Sequence, residues 1–401
     1  MPFIKRVDPF KLPIASRNAL IAPFQVMEMM KTASQWQMAG EDVIHMSIGE
    51  PDFTAPPSVQ QALLQAVAEG KTAYTPALGI PSLREAIAQF YQDRFNIWVD
   101  PARIVITAGA SGAMLLGLAT LVGQGDEVLL PDPSYPCNRH FIAVVGATAK
   151  LLACGPEQRF QLTATQLTSH WSEKTRGVLI ASPSNPTGTT IAWPELQAIQ
   201  EEVIKRNGFL MVDEIYQGLR YEQTLGNTPK SALSLEQADQ NVIVLNSFSK
   251  YFNMTGWRLG WMVLPSVMLP NIEKLAQNLF ICPSALAQQA ALACFRTDSL
   301  AIYETRRLQF EQRRNYLLPA LASLGFKIPV APDGAFYIYA DTSALAPSSE
   351  TLANRLLDNA KVCIVPGKDF GFAAPEQYVR FSYATSLARL EEAVERMRRV
   401  L

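Results

Sequence analysis

Six short apolar runs, at residues 104–107, 128–130, 177–181, 209–212, 242–245 and 261–264, alternate with stretches of helical spacing across the middle of the chain. Apolar runs of this length bounded by Gly, Pro and Ser read as strands, and strands that alternate with helices pair in parallel through helical crossovers. The alternation predicts an α/β fold whose large sheet is mostly parallel and covered by helices on both faces. Sheets of that kind bind ligands beyond the carboxyl ends of their strands, so the residues just past each run are where chemistry is expected.

With 401 residues, the chain exceeds the roughly 250–300 at which one core stops growing, so a second body is expected. We place a large domain at 46–290 and a smaller α+β domain at 1–45 with 291–401. Helices are expected at 21–37, 58–69 and 81–95, and a short strand at 45–49 runs into Glu50-Pro51-Asp52-Phe53. Tyr74 opens a loop between two of these helices. A long helix is expected over 298–324, its Arg306, Arg307, Arg313 and Arg314 reading as a solvated face. Strands at 335–339 and 378–382 follow.

Composition narrows the classes of partner. A net charge of -1 gives no general attraction to nucleic acid or an anionic membrane. Five scattered cysteines without a CxxC pair suit a reducing compartment, and three histidines lack the paired spacing of a zinc site. The proline-broken N-terminus is no secretory signal, and no 18-residue uncharged apolar run occurs, which predicts a cytoplasmic protein.

Chemistry-bearing residues cluster past the expected strand ends. After the run at 242–245 come Ser247, Ser249 and Lys250, with Arg258 eight residues on. A lysine among Phe248, Tyr251, Phe252 and Met254 loses solvation, which frees its amine as a nucleophile able to hold an aldehyde as a Schiff base. The two hydroxyls and the guanidinium suit a phosphate, and pyridoxal phosphate is the common cofactor that needs both an amine and a phosphate site. A surface lysine beside a turn is the plain alternative. Ala110, Ser111 and Gly112, in a small-residue turn that opens a helix, could cradle a phosphate on backbone N–H groups, or simply make a tight turn. Asn185, between Pro183 and Pro186, can donate to a phenolate oxygen. Asp213 ends a buried run, where a carboxylate needs a cation: a protonated pyridine nitrogen, or an arginine. Tyr216 can reach the same ring oxygen as Asn185, Tyr135 can stack on a planar ring or fill core, and Arg380 can clamp a carboxylate or make an ordinary ion pair.

Taken together these residues resemble the class I and II aminotransferases of the aspartate aminotransferase type, pyridoxal-phosphate enzymes of fold type I. The resemblance spans essentially the whole chain from residue 21 and rests on GEPDF at 49–53, YTPALG at 74–79, SPSNPTG, DEIY, SFSK followed by TGWRLG, and VRFSYA, in that order. It implies that Lys250 carries the cofactor as an internal aldimine and shuttles the substrate proton. Asp213 pairs with the pyridine nitrogen, Asn185 and Tyr216 with the ring hydroxyl, and Tyr135 stacks on the ring. Ala110, Ser111 or Gly112 with Ser247, Ser249 and Arg258 hold the phosphate. Tyr74 reaches the phosphate of a neighbouring subunit, which implies a homodimer. Arg380, with Gly49 and Asn185 near it, binds the substrate α-carboxylate.

The function implied is amine exchange between an amino acid and a 2-oxo acid. A C–S lyase of the same fold is the nearest alternative, and a ligand-sensing regulator would need a DNA-binding domain ahead of residue 21. Some bacterial aspartate-specific members carry a lysine in the turn where this chain has Ser111. The side-chain end of the site is expected to be lined by residues 21–24, Leu78 and Ser111, which favours neutral aliphatic or aromatic substrates. An arginine supplied by the partner subunit is the route by which a dicarboxylate would still be admitted.

Overall fold

The computed structural model of the protein describes residues 14–23, 25–221 and 230–401. A two-residue strand, β1 (Ile44–His45), precedes the main sheet. That sheet comprises β2 (Ile104–Thr107), β3 (Glu127–Asp132), β4 (Thr148–Ala153), β5 (Thr175–Ala181), β6 (Phe209–Asp213), β7 (Val242–Ser247) and β8 (Gly260–Val263), in the order β2-β8-β7-β6-β5-β3-β4. Every strand runs the same way except β8, which is antiparallel to both its neighbours.

Alternation along the strands explains why both faces are covered. In β7, Val242 and Val244 enter the core that holds Leu196, Ile199 and Val203, while Ile243 and Leu245 enter the opposite core with Ala113, Met114 and Leu116. β6 divides its residues in the same way, Leu210 and Val212 to one side and Met211 to the other. A strand apolar on both faces is stable only between two helical layers, since each fully buried Val, Leu or Ile contributes about 1.5–3 kcal/mol.

The first helices of the chain are α1 (Gln25–Met38), α2 (Pro57–Ala68), α3 (Pro81–Phe95), α4 (Gly109–Leu121) and α5 (Pro136–Val144), of which α1, α4 and α5 reach the site. Proline occupies the first turn of α2, α3 and α5, where its missing N–H would be unpaired in any case.

A second, antiparallel sheet has the order β11-β12-β9, made from β9 (Tyr337–Asp341), β11 (Val365–Pro366) and β12 (Tyr378–Ser382), and β10 (Val362–Cys363) pairs in parallel with β1. α1 lays Val26 against Val365, Phe370, Tyr339 and Tyr378, and Ala33 against Val43, Leu357 and Cys363. The stretch after β1 is stitched to this region: Met46 N donates to Cys363 O at 2.8 Å, and Ser382 N donates to Met46 O at 2.7 Å.

Several expectations change. The large sheet has a seventh strand, β4, which carries no continuous apolar run because it lies at the sheet edge and buries only Leu152 fully. The strand expected at 45–49 is only Ile44–His45, since beyond it the backbone turns to bond with β12. The strand expected at 335–339 begins at Tyr337, because Ala335 sits at φ 59°. The arginines of the helix Thr297–Ser323 are not a solvated face. Arg307, Arg313 and Arg314 are buried: Arg307 bonds to Glu304 at 2.8 Å, and Arg313 makes two bonds to Asp52 at 2.7 and 2.9 Å. Among the described residues no helix is long and apolar enough to cross a membrane.

Candidate active site

The carboxyl ends of β2, β3, β5, β6 and β7 lie on one edge of the large sheet, and the segments leaving them wall a cavity of about 330 Å³. Gly49, Ala110, Ser111, Tyr135, Asn185, Asp213, Tyr216, Ser247, Ser249, Lys250, Arg258 and Arg380 all line it. Two expected residues do not. Gly112 is buried in α4, where a Cβ would pack 3.4 Å from Ala108 Cβ, and Tyr74 is 86 % exposed, away from this chain's own cavity.

Lys250 follows the end of β7, and its Nζ donates to Gly49 O at 2.5 Å. Burial lowers its ammonium to a pKa of about 8; Arg258 and Arg380 push the same way, against Glu50 and Asp213. At the end of the adjacent strand, Asp213 accepts from Ile215 N at 3.0 Å, and burial raises its carboxyl to about 6. No salt bridge to Asp213 exists among the described residues, so a structural arginine partner is not what holds it there. Its neighbour Glu214 turns away and accepts from Ser231 Oγ at 2.8 Å and Ala232 N at 2.6 Å. Alternation along the backbone thus decides which acid of the Asp-Glu pair faces the cavity.

The phosphate-sized end is built from three segments. Ser247 Oγ donates to Ser249 Oγ at 2.9 Å, and Ser249 N donates back to Ser247 Oγ at 3.1 Å. Ala110 and Ser111 occupy the first turn of α4, whose N–H groups and dipole favour an anion. Arg258 comes down on that turn so closely that a Cβ on Gly109 would sit 2.6 Å from its Nη2, and Gly109 has φ +73°. Only glycine meets both demands.

Opposite, Arg380 on β12 is 2 % exposed. Its Nη1 donates to Asn185 Oδ1 at 2.9 Å and its Nη2 to Ser47 O at 2.5 Å, while its Nε has no protein partner. It has no carboxylate partner among the described residues. A buried guanidinium with a donor to spare, on the wall of a cavity, is built for an anion that enters from outside. The amine, the hydroxyl and backbone cradle, the buried acid and the open guanidinium together fit pyridoxal phosphate carrying an amino acid's carboxylate at its side.

The side-chain end differs from expectation. Of the residues proposed for it, only Ser111 lines the cavity; Ile21 and Leu78 do not, and Phe24 lies outside the described residues. In their place stand Val26, Met27 and Met30 from α1, with Ile48, Met114 and Phe141. Tyr337, Glu50, Asn138 and Thr255 also reach the wall. Asn138 and Phe141 follow Tyr135 at three-residue steps, so helical spacing alone marks them as sharing its face. Glu50 and Thr255 belong to motifs already singled out. Tyr337 carries no such mark.

Comparison with known proteins agrees with this geometry. The family model described as aminotransferase class I and II matches residues 41–397. A valine–pyruvate aminotransferase of Mycobacterium tuberculosis is 38% identical over 380 residues, covering 95% of this chain and 96% of that protein. An aspartate aminotransferase of Pyrococcus abyssi is 33% identical over 392 residues, covering 97% and 98%. The crystal structure of an aminotransferase from Mycobacterium tuberculosis superposes with a TM-score of 0.91 at 38% identity, covering 97% of this chain and 99% of that one.

Proposed function

The chain belongs to the class I and II aminotransferases, pyridoxal-phosphate enzymes of fold type I, and on that premise we propose how its residues divide the work and which substrates it takes. Bound pyridoxal phosphate supplies a ring that draws in the electron pair left when an amino acid loses its Cα proton. Lys250 holds the cofactor covalently between turnovers, and its Nζ takes the proton from Cα and returns it. Desolvation keeps that amine close enough to neutral for both tasks. Asp213 keeps a positive charge on the ring nitrogen, and Asn185 and Tyr216 serve the ring oxygen. Ser247, Ser249, Arg258 and the first turn of α4 at Ala110 and Ser111 hold the phosphate, and Tyr135 covers the ring face. Arg380, with Gly49 and Asn185, orients the α-carboxylate.

The observation that carries the substrate assignment is the charge inventory of the cavity. Among the described residues its cations are Lys250, Arg258 and Arg380, each already committed, and the side-chain end offers Val26, Met27, Met30, Ile48, Met114 and Phe141. A second carboxylate placed there would be buried unpaired, which costs several kcal/mol. Neutral aliphatic or aromatic amino acids are therefore the preferred donors, in keeping with the likeness to a valine–pyruvate aminotransferase. The test is kcat/KM for aspartate against alanine, leucine and phenylalanine under a common oxo acid. We expect aspartate to trail the best neutral donor by about tenfold or more, ~1.4 kcal/mol of transition-state binding. An aspartate value tenfold above all three would mean that a cation enters from elsewhere.

Tyr74 is assigned to the phosphate of a second subunit, a role that its 86 % exposure supports and that makes the enzyme a homodimer. Tyr74→Phe should weaken cofactor retention by about tenfold, as loss of a hydrogen bond to a charged group does, without lowering the melting temperature. A monomer with full activity in sedimentation and assay would defeat this assignment. We also divide the chain into a large body at 46–290 and a small one at 1–45 with 291–401, supported by an antiparallel sheet drawn wholly from residues after 336. Five free cysteines support a cytoplasmic setting.

A further inference from the structure

Tyr337, the first residue of β9, is fully buried and touches three parts of the site at once. Its hydroxyl lies 2.8 Å from that of Tyr216. The guanidinium carbon of Arg380 lies over its ring, 4.5 Å from the centroid. A Cβ on Gly49 would stand 2.7 Å from its hydroxyl oxygen. The register explains the convergence: Tyr337 pairs with Ser382 and Arg380 with Tyr339, so Tyr337 and Arg380 are diagonal neighbours on one face of the antiparallel pair.

We infer that Tyr337 is a positioning residue for the amine exchange: its hydroxyl donates to Tyr216, and its ring fixes the plane of the Arg380 guanidinium. The inference rests on the roles assigned above to Tyr216 and Arg380. Burial raises both phenols, so each keeps its proton at neutral pH and brings one O–H to a pair that uses only one between them. If Tyr216 donated to Tyr337, it would have no proton left to offer the cofactor's ring oxygen. With Tyr337 as donor, Tyr216 accepts on its oxygen and directs its own O–H into the cavity, and a phenol that accepts a bond donates a stronger one. The ring contact acts separately. Among the described residues Arg380 has hydrogen bonds at Nη1 and Nη2 only, so the rings against it, Tyr337 at 4.5 Å and Phe370 at 5.0 Å from its guanidinium carbon, supply the remaining restraint on a buried, mobile-stemmed cation, and Tyr337 is the nearer of the two.

Two substitutions separate the roles. Tyr337→Phe keeps the ring and removes the hydroxyl. In the purified holoenzyme without substrate, the pH midpoint of the bound cofactor's visible absorbance change should rise by about half a pH unit, because the ring oxygen's negative charge loses support. Tyr216→Phe should move it the same way and further. In the double variant, Tyr337→Phe should add nothing, a result that a merely structural tyrosine would not give. Tyr337→Phe should leave KM for the amino acid within about twofold, whereas Tyr337→Leu should raise KM about tenfold with a smaller change in kcat. If Tyr216→Phe moves the midpoint and Tyr337→Phe does not, or if the two effects add in full, the hydroxyl role is wrong. If Tyr337→Phe raises KM as much as Tyr337→Leu, the ring role is wrong. A midpoint unmoved by Tyr216→Phe would remove the assigned role of Tyr216 and this hydroxyl role with it.

Discussion

Lys250→Ala should leave a folded protein that still binds pyridoxal phosphate, but without a covalent link, and whose amine exchange falls by at least about 10⁴-fold. Retention of the fold follows from the contacts: within the chain the amine makes one hydrogen bond, to Gly49 O, and the phosphate and ring contacts belong to other residues. Stability points the same way. Burial holds the folded-state amine at about 8, below its ordinary value. The native state therefore sheds its proton first as pH rises, stability of the cofactor-free protein increases between that pH and the unfolded value, and the cost is fully present at neutral pH. Removing the amine relieves that cost, so the cofactor-free variant should melt no lower than the parent at pH 7. Borohydride reduction of the parent enzyme followed by proteolysis should place the cofactor on Lys250; finding it on another lysine would overturn the assignment.

Asp213→Asn is the second large effect. The substitution keeps the shape of the side chain at the end of β6 and removes the negative charge that keeps a ring nitrogen protonated. The electron pair released at Cα then has nowhere favourable to go. We expect kcat to fall by about 10²-fold or more under saturating substrate, with cofactor affinity falling by less than about tenfold. The raised pKa of this acid, about 6 even with Ile215 N–H and Lys250 lowering it, expresses the same physics: burial disfavours the charge, and a cation placed against it restores it. Near-normal turnover in the variant would reject the role.

How far the site was legible depended on where each residue sits. Asp213, Ser247, Lys250 and Asn185 follow apolar runs too buried to be anything but strands, so their polar character stood out against the background. Helical spacing gave no comparable help with the cavity's apolar wall. Val26, Met27 and Met30 occupy an amphipathic helix, and amphipathicity says that a face is covered without saying by what. Ile21 and Leu78, expected there, do not line the cavity for that reason. Tyr337 was hidden by the ordinary alternation of a strand. Arg313 was misread because it finds its carboxylate in Asp52, 261 positions away, and pairing at that range leaves no local pattern. β4 escaped notice because an edge strand is free to be half polar.

The contribution of α1 to the cavity separates two engineering problems. The groups assigned to proton and electron traffic stand at the ends of β6 and β7, adjacent strands of one sheet, whereas Val26, Met27 and Met30 belong to a helix packed on the other sheet. A library confined to those three codons would explore substrate range while leaving reactivity intact. Its most permissive position is Met27, which is more than half exposed and whose replacement leaves little buried volume to refill. Val26 is the costly one, because it also serves as packing for Phe370 and Tyr378. Divergence in what such an enzyme accepts is thus cheapest at a surface-facing methionine, and a lineage can change its diet there without relearning its chemistry.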